Sequence, residues 1–275
     1  MTEINNSDRA SQRSNPNTPT PLKLPDVITI KATTPFGWIA GAWADFQKAP
    51  LPCLTYGILM AFVSASISIS LLFSGYSDWI MVLIGGFFLI APMLAMGLYE
   101  AGRQIEAGRK PSFTQMIFVK GAFRQDLAYL GLALLLLYFF WGRMAQLVYA
   151  LSTYRKHDNV MQFLDFMLTT PEGQKMAIAG TLVGGAIAFI AFALVVISAP
   201  MLLDRKTDVF IATITSVRAV TKNLFPMLIW AMLITALTIL GILTGFIGLI
   251  IVFPLIGLAS WRAYRELVPT GHFPE

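Results

Sequence analysis

The sequence predicts an all-α fold, a polytopic transmembrane bundle of six helices. Three observations predict it: 56% of residues are apolar and only 13% charged, long apolar runs recur, and Lys and Arg collect on one side of those runs. A soluble globular chain carries roughly 25% charged residues, so the solvent for most of these 275 residues is lipid. The net charge of +5 comes from basic residues beside apolar runs rather than from a nucleic-acid motif, so no nucleic acid is expected as partner. The single cysteine, Cys53, excludes an intramolecular disulfide and any multi-cysteine metal site.

Residues 1–33, rich in Asn and Pro, read as a disordered cytoplasmic tail without a signal peptide. Residues 34–266 form the membrane domain, and 267–275 a short cytoplasmic tail. The membrane domain opens with a short helix at Thr34-Pro35 that places Phe36, Ile39, Trp43 and Phe46 on one face, as an interfacial helix has them. Spans of about 20 residues cross a hydrocarbon core of about 30 Å, and Pro52–Phe73, Ile80–Tyr99, Leu127–Tyr149 and Met176–Leu203 are long enough. Short helices begin again at Pro111-Ser112 and Thr207-Asp208. Between the third and fourth spans, Met161, Leu164, Met167 and Leu168 suggest an amphipathic helix lying on the membrane.

The run Leu224–Trp261 carries no charge over 38 residues, which as one helix would measure about 57 Å. Gly241, Gly245 and Gly248 mark a turn instead, with a fifth span near Leu224–Leu240 and a sixth near Phe246–Trp261. Six spans leave sixteen Lys and Arg on the side of the two termini and three in the opposite connections. The positive-inside rule then puts both termini in the cytoplasm.

Ala91-Pro92-Met93-Leu94 ends the second span and Ala199-Pro200-Met201-Leu202 the fourth, with Pro254-Leu255 at the comparable place in the sixth. Tyr99 aligns with Trp261, and Arg103 with Arg265. The pattern reads as three repeats of a short interfacial helix plus a transmembrane hairpin, unless so few shared letters are a coincidence of low-complexity membrane sequence.

Thr169-Thr170-Pro171-Glu172-Gly173, Ser198-Ala199-Pro200-Met201-Leu202-Leu203-Asp204-Arg205, Ser216-Val217-Arg218-Ala219-Val220 and Pro254-Leu255-Ile256-Gly257 closely resemble the domain of unknown function 2189 family. Trp38, Gly41, Trp43, Pro50 and Gly97-Leu98-Tyr99-Glu100 match as well, so the resemblance covers about residues 34 to 266. It implies a bacterial inner-membrane protein and carries no established activity, cofactor or substrate. Members often have histidines where this chain has Leu258 and Arg262, so a metal role resting on those positions does not transfer. The plan also resembles the membrane domain attached to some glycerophosphodiester phosphodiesterases, an architectural likeness.

Haem–copper chemistry needs several intramembrane histidines, and this chain has His157 and His272, both outside the spans. No cofactor is expected. No nucleophile with a positioned base and no paired carboxylates stand out, so no enzyme activity is expected. Arg143 is the one charge within a span, placed to snorkel to the headgroups or to serve a substrate. Glu100 with Arg103, and Asp204 with Arg205, lie at cytoplasmic helix ends, where they anchor and neutralise or bind a partner. Pro92, Pro200 and Pro254 are kinks that aid packing, or hinges. Membrane lipids, and a membrane protein or second copy, are the expected partners. A non-enzymatic assembly, envelope or scaffolding role accounts for these features. The alternative is a small-molecule or lipid transporter or channel, which needs a cavity lined by residues such as Ser64, Ser66, Ser68 and Ser70.

Overall fold

The computed structural model describes residues 24–73, 79–119, 125–152 and 160–269, which are helical without strands. His157, His272, most of the N-terminal tail and most of the turn after the first span lie outside the described residues. Along the chain the helices are α1 (Thr34–Lys48), α2 (Pro50–Phe73), α3 (Trp79–Leu94), α4 (Met96–Glu106), α5 (Phe113–Ile117) and α6 (Gln125–Ser152). They continue as α7 (Val160–Thr169), α8 (Pro171–Val195), α9 (Ser198–Asp204), α10 (Val209–Lys222), α11 (Leu224–Leu243) and α12 (Leu249–Leu267).

Four helical stretches are long and apolar enough to cross a membrane: Pro50–Leu71, Gln125–Ser152, Pro171–Asp204 and Leu224–Leu243. Their starts follow local cap chemistry. Thr170 accepts a hydrogen bond from the Gly173 amide at 3.0 Å with Pro171 behind it, and Asp208 accepts from the Phe210 amide at 2.7 Å.

The charge-free run is two helices. The Thr244 hydroxyl donates to the Gly241 carbonyl and accepts from the Gly248 amide. Gly245 and Phe246 take left-handed φ values of 67° and 69°, which reverse the chain. α12 then returns along α11 and α2 and runs on to Leu267, past the apolar stretch that the sequence marks as the sixth span.

Two breaks lie near prolines. α3 stops at Leu94, just after Pro92, and the Leu94 carbonyl is taken up by the Tyr56 hydroxyl at 2.7 Å. α8 stops at Val195, and the Ile197 amide is held by the Ser216 hydroxyl at 3.1 Å before α9, with Pro200, begins. Pro254 leaves α12 continuous. Its ring nitrogen carries no hydrogen for the Ile250 carbonyl, and that carbonyl lies against Gly57 of α2. A Cβ on Gly57 would stand 2.0 Å from this oxygen, so the α2–α12 contact requires glycine.

The aromatic face of α1 lies outward except at Phe46. α1 buries Trp38, Ala42, Asp45 and Phe46, chiefly against α12, while Phe36 and Trp43 are exposed. The stripe Trp38, Ala42, Asp45 meets α12 through the Trp38 indole on Glu266 and the Asp45 carboxylate on Arg262, and Phe36 and Trp43 turn outward as an interfacial face does. Ahead of α1, the extended segment at 27–30 is tied down by Asn223, whose side chain accepts from the Ile30 amide and donates to the Ile28 carbonyl, and by Lys222, which donates to the Val27 carbonyl.

α8 and α11 form the walls of an elongated apolar cleft of about 770 Å³, with α3, α4, α6 and α12 completing its lining.

Candidate functional site: a polar hub on the end of α12

In lipid, apolar surface gives helices little reason to associate, so close packing and polar contacts decide the arrangement. The polar contacts concentrate on the last two turns of α12. Trp261 donates its indole N–H to Glu106 of α4 at 3.0 Å. Arg262 donates Nε to Asp45 of α1 at 2.6 Å. Tyr264 donates its hydroxyl to Asp204 of α9 at 2.7 Å. Arg265 bridges two helices, with Nη2 2.8 Å from Glu106 and Nη1 3.3 Å from Asp204. Glu266 accepts the indole N–H of Trp38 at 2.7 Å. At the helix terminus, the Leu267 carbonyl accepts from the Ile28 amide and the Val268 carbonyl from Arg205. One helix end thus holds α1, α4, α9 and the N-terminal segment together.

Periodicity explains why these residues meet. Trp261, Tyr264, Arg265 and Val268 fall at helical spacing on the side facing α4 and α9, while Arg262 and Glu266 face α1. Between α1, α4 and α12 lies a polar recess of about 680 Å³, with Asp45, Arg262, Glu106 and Arg265 among its walls.

The electrostatics are compensated. Burial works to raise the Asp45 carboxyl, but the hydrogen bonds and charges of Arg262 and Lys48 outweigh it and hold the group below the usual carboxylate range. Burial and the Asp204 charge push the Tyr264 phenol far up, which keeps it a donor. Burial alone would discourage the Arg265 charge, yet Glu106 and Asp204 hold it protonated. Arg205 lies over the Tyr264 ring, 5.4 Å from its centroid.

A pH prediction follows from Asp45. Its folded pKa is depressed, so its stabilisation is present above the unfolded value of about 3.9 and is lost as pH falls through the lower folded value. Thermal melts in detergent should show wild type more stable than Asp45→Asn at pH 6, with the gap closing below about pH 4. A gap that stays constant over this range contradicts the assignment.

Of the positions singled out from sequence, Asp204 and Arg205 lie in the hub. Glu100 and Arg103 pair with each other instead, through two hydrogen bonds of 2.9 Å, and Gln104 also donates to Glu100. Pro92 and Pro200 sit at the two helix breaks, and Pro254 inside α12. Arg143 is exposed on α6, donating to Gln146 at 3.2 Å, about 27 Å along the helix from Gln125. Ser64, Ser66, Ser68 and Ser70 line neither the cleft nor the recess.

Sequence reasoning missed Asp45, Glu106, Tyr264 and Glu266, and marked Trp38 only as part of the family resemblance. The signal was the alignment of Tyr99 with Trp261 and Arg103 with Arg265, which marks equivalent helix ends without saying that α12 takes the centre. Among the described residues no three His, Cys, Asp or Glu side chains converge as metal ligands would.

Residues 80–204 match the family model described as predicted integral membrane protein, domain of unknown function 2189. The match runs from α3 through α9, so it includes Glu100, Glu106 and Asp204 and ends before α12. The resemblance seen in the sequence is shown over this segment. No curated protein and no solved structure matches the chain.

Proposed function

We propose that this chain, whose residues 80–204 match the model of a predicted integral membrane protein family, domain of unknown function 2189, is a non-enzymatic six-span scaffold of the bacterial inner membrane. In this reading the spans are α2, α3 with α4, α6, α8 with α9, α11 and α12. α1, α5 and α10 each precede an odd-numbered span, as a threefold unit of short helix and hairpin requires. The hub lies in the cytoplasm with both termini, on the side that carries sixteen of the Lys and Arg residues.

The observation that carries the scaffold reading is the hub itself. Its carboxylates are engaged by cations, indoles or a phenol, and each contact joins one helix to another. Carboxylates spent on holding helices are poorly placed to move protons or ligate an ion. Outside the hub, the exposed Phe36 and Trp43 of α1 give a surface for lipid or for a membrane-protein partner.

Purification from native membranes in mild detergent tests the reading. A membrane protein held in fixed stoichiometry is the expected result. A tightly held small solute with no protein partner would favour the second reading, a lipid or small-molecule transporter, for which the cleft between α8 and α11 speaks.

A further inference from the structure

We propose that the cleft between α8 and α11 binds one ester-linked lipid of the inner leaflet, with an acyl chain lying along it and an ester carbonyl at its hub end. The inference rests on the six-span reading for the leaflet and goes beyond it in assigning a ligand.

The shape selects a chain. From Gly180 to Val196 the α8 wall runs about 24 Å, and from Leu228 to Ile239 the α11 wall runs about 16 Å. One leaflet of a core about 30 Å thick is spanned by a chain of roughly 15 Å. The volume of about 770 Å³ suits one such ligand rather than a bulk solvent path. The walls are Gly184, Ala188, Phe192 and Met232 with little polar surface, and Met232 is 70% exposed, so the opening faces the bilayer rather than water.

The hydroxyls select the ester. Tyr99 and Ser260 line the hub end of the cleft and are 3% and 6% exposed, and among the described residues neither hydroxyl meets a hydrogen-bond partner. A hydroxyl that opens only onto an apolar cleft has no acceptor there, and an acceptor delivered into the cleft supplies one. Ser260 immediately precedes Trp261, whose indole marks the interface on the six-span reading, and ester carbonyls lie at that level. Thr238, 4% exposed at the opposite end, offers one hydroxyl there against two at the hub end, so the hub end is the stronger place for the ester.

The test titrates delipidated full-length protein in detergent with palmitoyl-oleoyl phosphatidylethanolamine, or with its ether-linked analogue, and reads adducts by native mass spectrometry. One lipid per chain is expected, with the ether analogue bound roughly five-fold more weakly because it lacks the carbonyl. Ala188→Trp, which fills the cleft from an exposed position, should weaken binding by roughly ten-fold or more. Met232→Trp on the other wall repeats this if Ala188→Trp fails to fold, which its melting temperature without lipid reports. Tyr99→Phe combined with Ser260→Ala should keep the chain but abolish the ester preference. Absence of a retained lipid, equal binding by the filled variants, equal affinity for ester and ether lipids, or a dimer that the filled variants lose would each overturn the proposal. Topology plays no part in the readout, so failure here leaves the six-span reading standing.

Discussion

Gly57→Val is expected to lower the melting temperature in detergent by roughly 8 °C. Pro254 offers no hydrogen to the Ile250 carbonyl, and the oxygen finds room against Gly57. The glycine Cα–H is a weak donor to such a carbonyl, and the approach lets α2 and α12 pack closely. A Cβ at 2.0 Å meets backbone rather than a flexible side-chain tip, so one helix must move. Overpacking of this kind costs about 3 kcal/mol, and each kcal/mol shifts the midpoint by roughly 2–4 °C in a chain of this size. Gly57→Ala should show most of the effect. A valine variant melting within about 2 °C of wild type would show that the two backbones are not in contact.

Arg265→Ala should lose about 2–3 kcal/mol, because hydrogen bonds to charged groups are the strong ones and this guanidinium serves two helices. Glu106 is 45% exposed and can turn to water, which discounts its share. Asp204 is only 16% exposed, so most of the cost arises there, moderated by the Tyr264 hydroxyl and by Arg205 at 3.8 Å, which it keeps. Lysine at position 265 should recover part of the loss, since one ammonium cannot span both carboxylates as the fork does. Arg143→Ala is the control, with an expected change within about 0.5 kcal/mol because the group is exposed and bonds only locally. Equal melting of the two alanine variants would remove the hub from the account.

The helices were legible because their signals are local. Apolar runs, the Thr170-Pro171 and Asp208 caps, and the glycines of the 241–248 turn all act over a few residues. The hub was not legible for the opposite reason. Asp45 meets Arg262 across 217 positions, and Trp38 meets Glu266 across 228, so no spacing rule links them. The sequence also shows Arg262 and Arg265 only as charges following a span. Their place on a continuing α12 makes them central. On α1 the aromatic spacing marks Phe36 and Trp43 as an outward, interfacial face, but no local signal marks the stripe Trp38, Ala42, Asp45 that meets α12.

Cysteine accessibility in the 241–248 turn tests the six-span claim most directly. Ile247 is 70% exposed there, and its substitution leaves the Thr244 cap intact. In a Cys53→Ala background carrying a C-terminal tag, Ile247→Cys should react with a membrane-impermeant thiol reagent added outside intact cells, while the tag stays protected until the membrane is opened. A protected cysteine together with a tag accessible from outside would contradict six spans and place the hub on the wrong side of the membrane.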